Sequence, residues 1–162
     1  MKKRLIPLLL ALPLAAFAVA SVSMLSSASA KPSTSGATAS KASPTVVSTR
    51  HTSLGTILVG PNGHTLYLFE KDTKGHSACT GSCASSWPPL MASDGTKAGM
   101  GASSSMLGTI SRSGGKQVTY GGHPLYYFAE DTKAGQTNGE NLDAFGAHWE
   151  VVSPSGKAIT KG

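Results

Sequence analysis

Two short runs, residues 64–70 (HTLYLFE) and 123–129 (HPLYYFA), carry apolar side chains on both parities of a two-residue period. In the first, His64, Leu66, Leu68 and Glu70 fall on one side, and Thr65, Tyr67 and Phe69 on the other. In the second, His123, Leu125, Tyr127 and Ala129 oppose Pro124, Tyr126 and Phe128. A strand that is apolar on both faces in its middle is buried on both sides. Each run is bounded by turn chemistry: Pro61-Asn62-Gly63 and Gly121-Gly122 before it, Asp72-Thr73-Lys74-Gly75 and Asp131-Thr132-Lys133-Ala134-Gly135 after it. Further β-rich runs cover 54–59, 107–112 and 116–120, the last two forming a three-strand meander with 123–129. No helical period persists for three turns; short helical turns are expected near 84–87 and 141–145. The pattern predicts an all-β fold, a small barrel or a sandwich.

The two phrases are copies of one unit. Leu54-Gly55-Thr56-Ile57 recurs as Leu107-Gly108-Thr109-Ile110, and Trp87 and Trp149 follow their strands at similar distances. The expected copies are 54–100 and 107–162. Two are too few for a solenoid, so one compact domain with internal pseudo-symmetry is expected.

The start of the chain has a different character. Lys2, Lys3 and Arg4 precede an apolar run over 5–20, and Ala28-Ser29-Ala30 fits a signal-peptidase site, so residues 1–30 read as a cleaved leader. The competing reading, an uncleaved anchor over 5–25, is disfavoured by Pro7 and Pro13. Residues 31–47 are almost wholly small and polar and read as a flexible tether before a domain over 48–162. Loss of the leader removes three basic residues and lowers the formal charge from +6 to +3. No basic block remains, which excludes nucleic acid as the expected partner and leaves an envelope ligand or protein. The first cysteine is Cys79, so no lipid anchor at a leader cysteine is expected.

Tyr67, Phe69 and Asp72, and again Tyr126, Phe128 and Asp131, fit Tyr-x-(Phe/Trp/Tyr)-x-x-Asp, and CTGSCASSWPPL spans 79–90. With these features the chain resembles a bacterial family of predicted lipoproteins built from a secreted repeat of unknown function. The resemblance covers nearly everything after the tether. It implies export to the cell envelope, in the periplasm or outside the cell, and implies no activity.

The candidate chemistry is sparse. Asp72 and Asp131 sit at the first position of turns, where a carboxylate accepts backbone N–H groups two residues on; the functional reading pairs each with its own tyrosine hydroxyl. Cys79 and Cys83 are the only cysteines, and in an exported protein such a pair reads as a disulfide. The competing reading adds His76 and makes Cys79 and Cys83 thiolate ligands for copper or zinc, or a thiol-redox pair. Met91, Met100 and Met106 could add thioethers, and His64 and His123 occupy matching strand starts. Trp87, locked by Pro88-Pro89, is expected to plug the core. No hydrolase elbow, phosphate loop, dinucleotide fingerprint or zinc-protease motif is present, and Ser113-Gly114-Gly115-Lys116 sits in a glycine turn. The expectation is a non-enzymatic binding or structural module without a cofactor.

Overall fold

A computed structural model describes residues 42–160. The leader, its cleavage site and the tether up to residue 41 lie outside the described residues. Two-residue turns at Ser53-Leu54 and Ser113-Gly114 create two hairpins: β1 (Thr45–Thr52) with β2 (Gly55–Val59), and β6 (Leu107–Arg112) with β7 (Gly115–Tyr120). The motif strands are β3 (Tyr67–Phe69) and the shorter β8 (His123–Pro124); β4 (Met91–Ala92), β5 (Thr96–Ala98), β9 (Leu142–Ala144) and β10 (Ala147–Val151) complete the set. One short helix, α1 (Ser82–Ser86), and a 3-10 turn at Ser104–Met106 are the helical elements described. The strands form three small sheets, ordered β2-β1-β5, β3-β10-β9 and β4-β7-β6 with β8 on β7. The fold is all-β and two-repeat, and its sheets do not close into a barrel.

Hairpin register defines how the copies correspond. Thr52 opposes Gly55 as Arg112 opposes Gly115, and Arg50 opposes Ile57 as Ile110 opposes Gln117. The first hairpin therefore matches the second, β1 with β6 and β2 with β7. This corrects the correspondence drawn from Leu54–Ile57 and Leu107–Ile110: the first tetrapeptide enters the second strand of its hairpin, whereas the second lies in the first strand of its own. It also moves the start of the first copy back to β1. Residues 45–47, expected in the tether, are strand, with Val47 fully buried and its stretch paired in parallel with β5. Their small polar neighbours hid a strand whose partner lies about fifty residues downstream. Residues 141–145, expected as a helical turn, form β9 flanked by Asn141 and Phe145 at φ 55° and 60°. Pairing to β10 prevails over the local tendency.

Each copy lends one segment to the other: Leu90 and β4 from the first copy pair with β7, and β10 with Val152 from the second pairs with β3 and β2. In the first triad of backbone bonds, Leu58 N–H donates to Val152 O (2.8 Å), Val152 N–H to Leu66 O (3.1 Å) and Leu66 N–H to Leu58 O (3.0 Å). In the second, Val118 N–H donates to Leu90 O (2.8 Å), Leu90 N–H to Leu125 O (2.9 Å) and Leu125 N–H to Val118 O (3.0 Å). Val152 thus completes the first copy and Leu90 completes the second. At the centre Tyr67 and Tyr126 trade both backbone hydrogen bonds, at 2.9 and 3.0 Å, marking the pseudo-twofold axis.

The exchanged segments deliver the tryptophans. Trp87 and Trp149 stack face to face, centroids 3.9 Å apart and planes within 3°. Phe69 covers the far side of Trp149 at 4.1 Å, and Phe128 covers Trp87 at 4.3 Å. Tyr67 meets Trp87 edge-on at 5.3 Å, and Tyr126 meets Trp149 at 5.1 Å. All six rings belong to one buried cluster, while Leu66, Leu68 and Leu125, on the opposite face of the motif strands, belong to a second. The two-sided burial expected of these strands is realised in this way. A ring of this size buries roughly 150–250 Å², worth about 4–6 kcal/mol gross at about 25 cal/mol per Å². Gly139 lets the chain pass, since a Cβ there would lie 2.7 Å from the Trp87 ring.

Strand exchange predicts that neither half folds alone. Segments 42–106 and 107–160, produced separately, should each give a collapsed amide proton spectrum and recover native dispersion only when mixed. In the intact chain, Trp149→Ala should cost about 3–5 kcal/mol in denaturant titration. A folded isolated half would contradict this architecture.

Candidate functional site

The motif residues of the two copies meet in a crossed arrangement. Tyr67 hydroxyl donates to Asp131 Oδ2 at 2.6 Å, and Tyr126 hydroxyl donates to Asp72 Oδ2 at 2.6 Å. The other oxygen of each carboxylate braces the loop that follows it: Asp72 Oδ1 accepts Ala78 N–H at 2.7 Å, and Asp131 Oδ1 accepts Asn138 N–H at 3.0 Å. The sequence suggested a bond two residues on, or a pairing of each aspartate with its own tyrosine. Neither is what forms, because the exchange places each tyrosine beside the other copy's loop. Tyr67 hydroxyl also accepts Gly139 N–H at 3.3 Å, and Tyr126 hydroxyl shares a hydrogen bond with Ser77 Oγ at 2.7 Å.

Both tyrosines are fully buried, Asp131 is buried and Asp72 half-buried. Burial raises the pKa of Tyr67 well above its ordinary value, and its hydrogen bond to Asp131 and that carboxylate's charge push the same way. Tyr126 is raised likewise by burial and by Asp72, with Ser77 pulling back. Burial also raises Asp72 and Asp131, opposed at each by the hydrogen bonds it accepts and by nearby cationic groups: His76 and Arg112 at Asp72, His64 at Asp131. The shared protons stay on the tyrosines, and the carboxylates act as acceptors.

The cysteine block lies at one edge of this centre. Cys79 and Cys83 are buried, their Cα atoms 5.3 Å apart and their sulfurs at disulfide-bonding distance. Covalently joined sulfurs supply no thiolates, so His76, Cys79 and Cys83 form no ligand set in this state. Among the described residues no group of three His, Cys, Asp or Glu side chains is gathered around a common point. Met91 and Met106 are half-buried packing residues and Met100 is exposed. His64 packs edge-on against Tyr127 at 6.4 Å, and His123 lines a cavity beside Asp72. Trp87 is the core plug expected of it. Glu150 is a buried carboxylate whose Oε2 has no hydrogen-bond partner; burial raises its pKa, and Glu140 and Glu70 add to the rise.

His76 lines a cavity of about 340 Å³, with Ser77, Thr80, Ile110, Arg112 and Ser113 among its walls. Arg112 was not singled out from the sequence, nor was Gln117 behind it. The signal was present: register aligns Gln117 with Ile57, a polar residue at a core position, but the misplaced tetrapeptide correspondence concealed it.

Fold and centre together define an all-β module made of two interlocked copies of one unit. The chain belongs to the family described as a secreted repeat of unknown function, whose model matches residues 48–91 and 108–153. No curated protein and no solved structure matches it.

The perturbed groups set the pH dependence of stability. Tyr67 and Tyr126 keep their protons far above pH 10, and burial pushes Tyr127 up to about 12. The unfolded chain loses these protons near pH 10, so their contribution is complete below that value and is lost as pH rises through the folded values. Each group adds a slope of about 1.4 kcal/mol per pH unit. Denaturant titration from pH 10 to 11 should show this fall, and Tyr67→Phe should remove one increment of slope. Asp72 and Asp131 are also raised, so their contribution is complete at acid pH and is lost as pH rises through their folded values. The thermal midpoint should therefore gain from these groups on acidification from pH 7 to 4, and Asp131→Asn should shrink the gain.

Proposed function

We propose that this secreted-repeat protein is a non-enzymatic binding or structural module of the bacterial cell envelope, released from its leader after Ala30 and held away from its point of attachment or export by a polar tether. One observation carries the reading: the residues repeated in both copies are consumed in joining the copies. Tyr67, Phe69, Asp72, Tyr126, Phe128 and Asp131 bury their rings or satisfy one another's polar atoms. A catalytic tyrosine or aspartate needs access to a substrate, and these tyrosines have none. The joined Cys79 and Cys83 favour a structural bridge over metal handling; a bridge across so few residues constrains little chain entropy, and its effect is to fix the loop that carries Trp87.

Thermal unfolding of Tyr67→Phe and Tyr126→Phe tests this. Each substitution removes a donor to a carboxylate, and Tyr67→Phe should cost about 1.5–3 kcal/mol because Asp131 is buried. Tyr126→Phe should cost less, since Asp72 is more accessible. Wild-type melting in both variants would free the hydroxyls from a structural role and overturn the reading. The exported product should begin at Lys31 by intact mass and titrate with no free thiol.

A further inference from the structure

The departures from pseudo-symmetry collect at one place. Gln117 is fully buried where the first copy sets the equally buried Ile57, and Arg112 stands where the first copy has Thr52. Replacing a buried isoleucine with a carboxamide is costly unless every polar atom is used. Both are: Gln117 Nε2 donates to Leu125 O at 2.8 Å, and its Oε1 accepts Arg112 Nη1 at 2.6 Å. Arg112 Nη2 donates to Cys79 O at 3.0 Å, next to the cysteine bridge that the second copy lacks. Three unusual features, the bridge, the buried glutamine and the arginine, thus serve a single end. They fix one guanidinium on neutral acceptors at the wall of a cavity.

The equivalent place in the first copy is filled. Arg50 stands at the position of Ile110, and its side chain lies so close over Gly135 that a Cβ there would be 3.1 Å from Arg50 Cδ. On the second-copy side the smaller Ile110 leaves about 340 Å³ open, near the lower end of the range for small-molecule sites. Its walls offer the charge of Arg112, the His76 imidazole and the hydroxyls of Thr80 and Ser113, with no carboxylate lining it. Asp72 is the acidic group whose charge couples to Arg112 and His76; its oxygens are already engaged by Tyr126 and Ala78. Neutral acceptors hold the guanidinium without cancelling its charge and leave it further N–H donors.

We propose that the cavity between the 75–81 loop and the β6–β7 turn is a binding site for a small oxyanion-bearing molecule, with Arg112 as the anchoring cation and His76 and the wall hydroxyls as its flank. The proposal deepens the reading of this chain as a binding module by naming a ligand class and a place. An amide and arginine side-chain NMR titration of the intact domain tests it, using sodium phosphate and, separately, sodium acetate, with chloride holding ionic strength constant. Saturable shifts confined to Arg112 Nε–H and the amides of 75–81 and 110–113 are expected, and the stronger probe separates phosphoryl from carboxylate ligands. Arg112→Gln should weaken binding at least about tenfold. Thr80→Glu, which sets a negative charge in the wall without touching Arg112, should do the same in a domain of unchanged melting temperature. Absence of saturable shifts with both probes, or shifts that persist in Thr80→Glu, would overturn the site. That outcome leaves the melting behaviour of the tyrosine variants unaffected, so the failure of this site and the failure of the modular reading are distinguishable.

Discussion

The face-to-face contact of Trp87 with Trp149 is the constraint on which the rest of the structure depends. Each indole arrives on the segment that one copy lends to the other, and each is covered by the opposite copy's phenylalanine. The stack therefore cannot form unless both strand exchanges have occurred, and neither exchange buries its aromatic residue without the other. Local hairpins can form early, but the central contacts join residues some sixty positions apart, which places the cost of loop closure before the reward. Cooperativity across the whole domain is the result.

The crossed tyrosine–aspartate pairs add selectivity to that apolar centre. A ring stack tolerates sliding, whereas a buried hydroxyl with one acceptor does not. Slippage of either motif strand by one residue would point a tyrosine away from its carboxylate and leave a buried acceptor unsatisfied, at a cost of about 1–3 kcal/mol. It would also turn the leucine face toward the aromatic cluster. Burial disfavours the charge on both carboxylates, so the protein gives up some stability at neutral pH to hold one register.

Much of this was legible in the sequence, and the failures have physical causes. Two-sided burial of the motif strands was readable because alternation is local, and Tyr67, Phe69 and Leu68 behave as their parity dictates. The second hairpin was readable from Gly114-Gly115. The exchange was not, since no local pattern records that Leu90 pairs with Val118 while Val152 pairs with Leu58. Leu54–Ile57 and Leu107–Ile110 misled because short apolar tetrapeptides suit either strand of a hairpin. Once the hairpins were offset, Gln117 no longer stood against Ile57, and the polar side of the molecule went unnoticed. Val47 was lost to a tether whose composition says nothing about a strand far away.

The reciprocity of the central contacts has an ancestry-like logic of its own. Tyr67 touches Tyr126 as Tyr126 touches Tyr67, and each strand is lent as it is borrowed. Such contacts are isologous, the kind that build a twofold homodimer. In contact terms the domain is a dimer carried within one chain, and its linkage replaces a bimolecular encounter with an effective concentration on the order of millimolar. A true homodimer would have to display either Arg112 and Gln117 twice or Thr52 and Ile57 twice. Fusion removes that obligation. One half can keep its core closed while the other turns polar, so a symmetric framework presents an opening on one side that has no counterpart on the other.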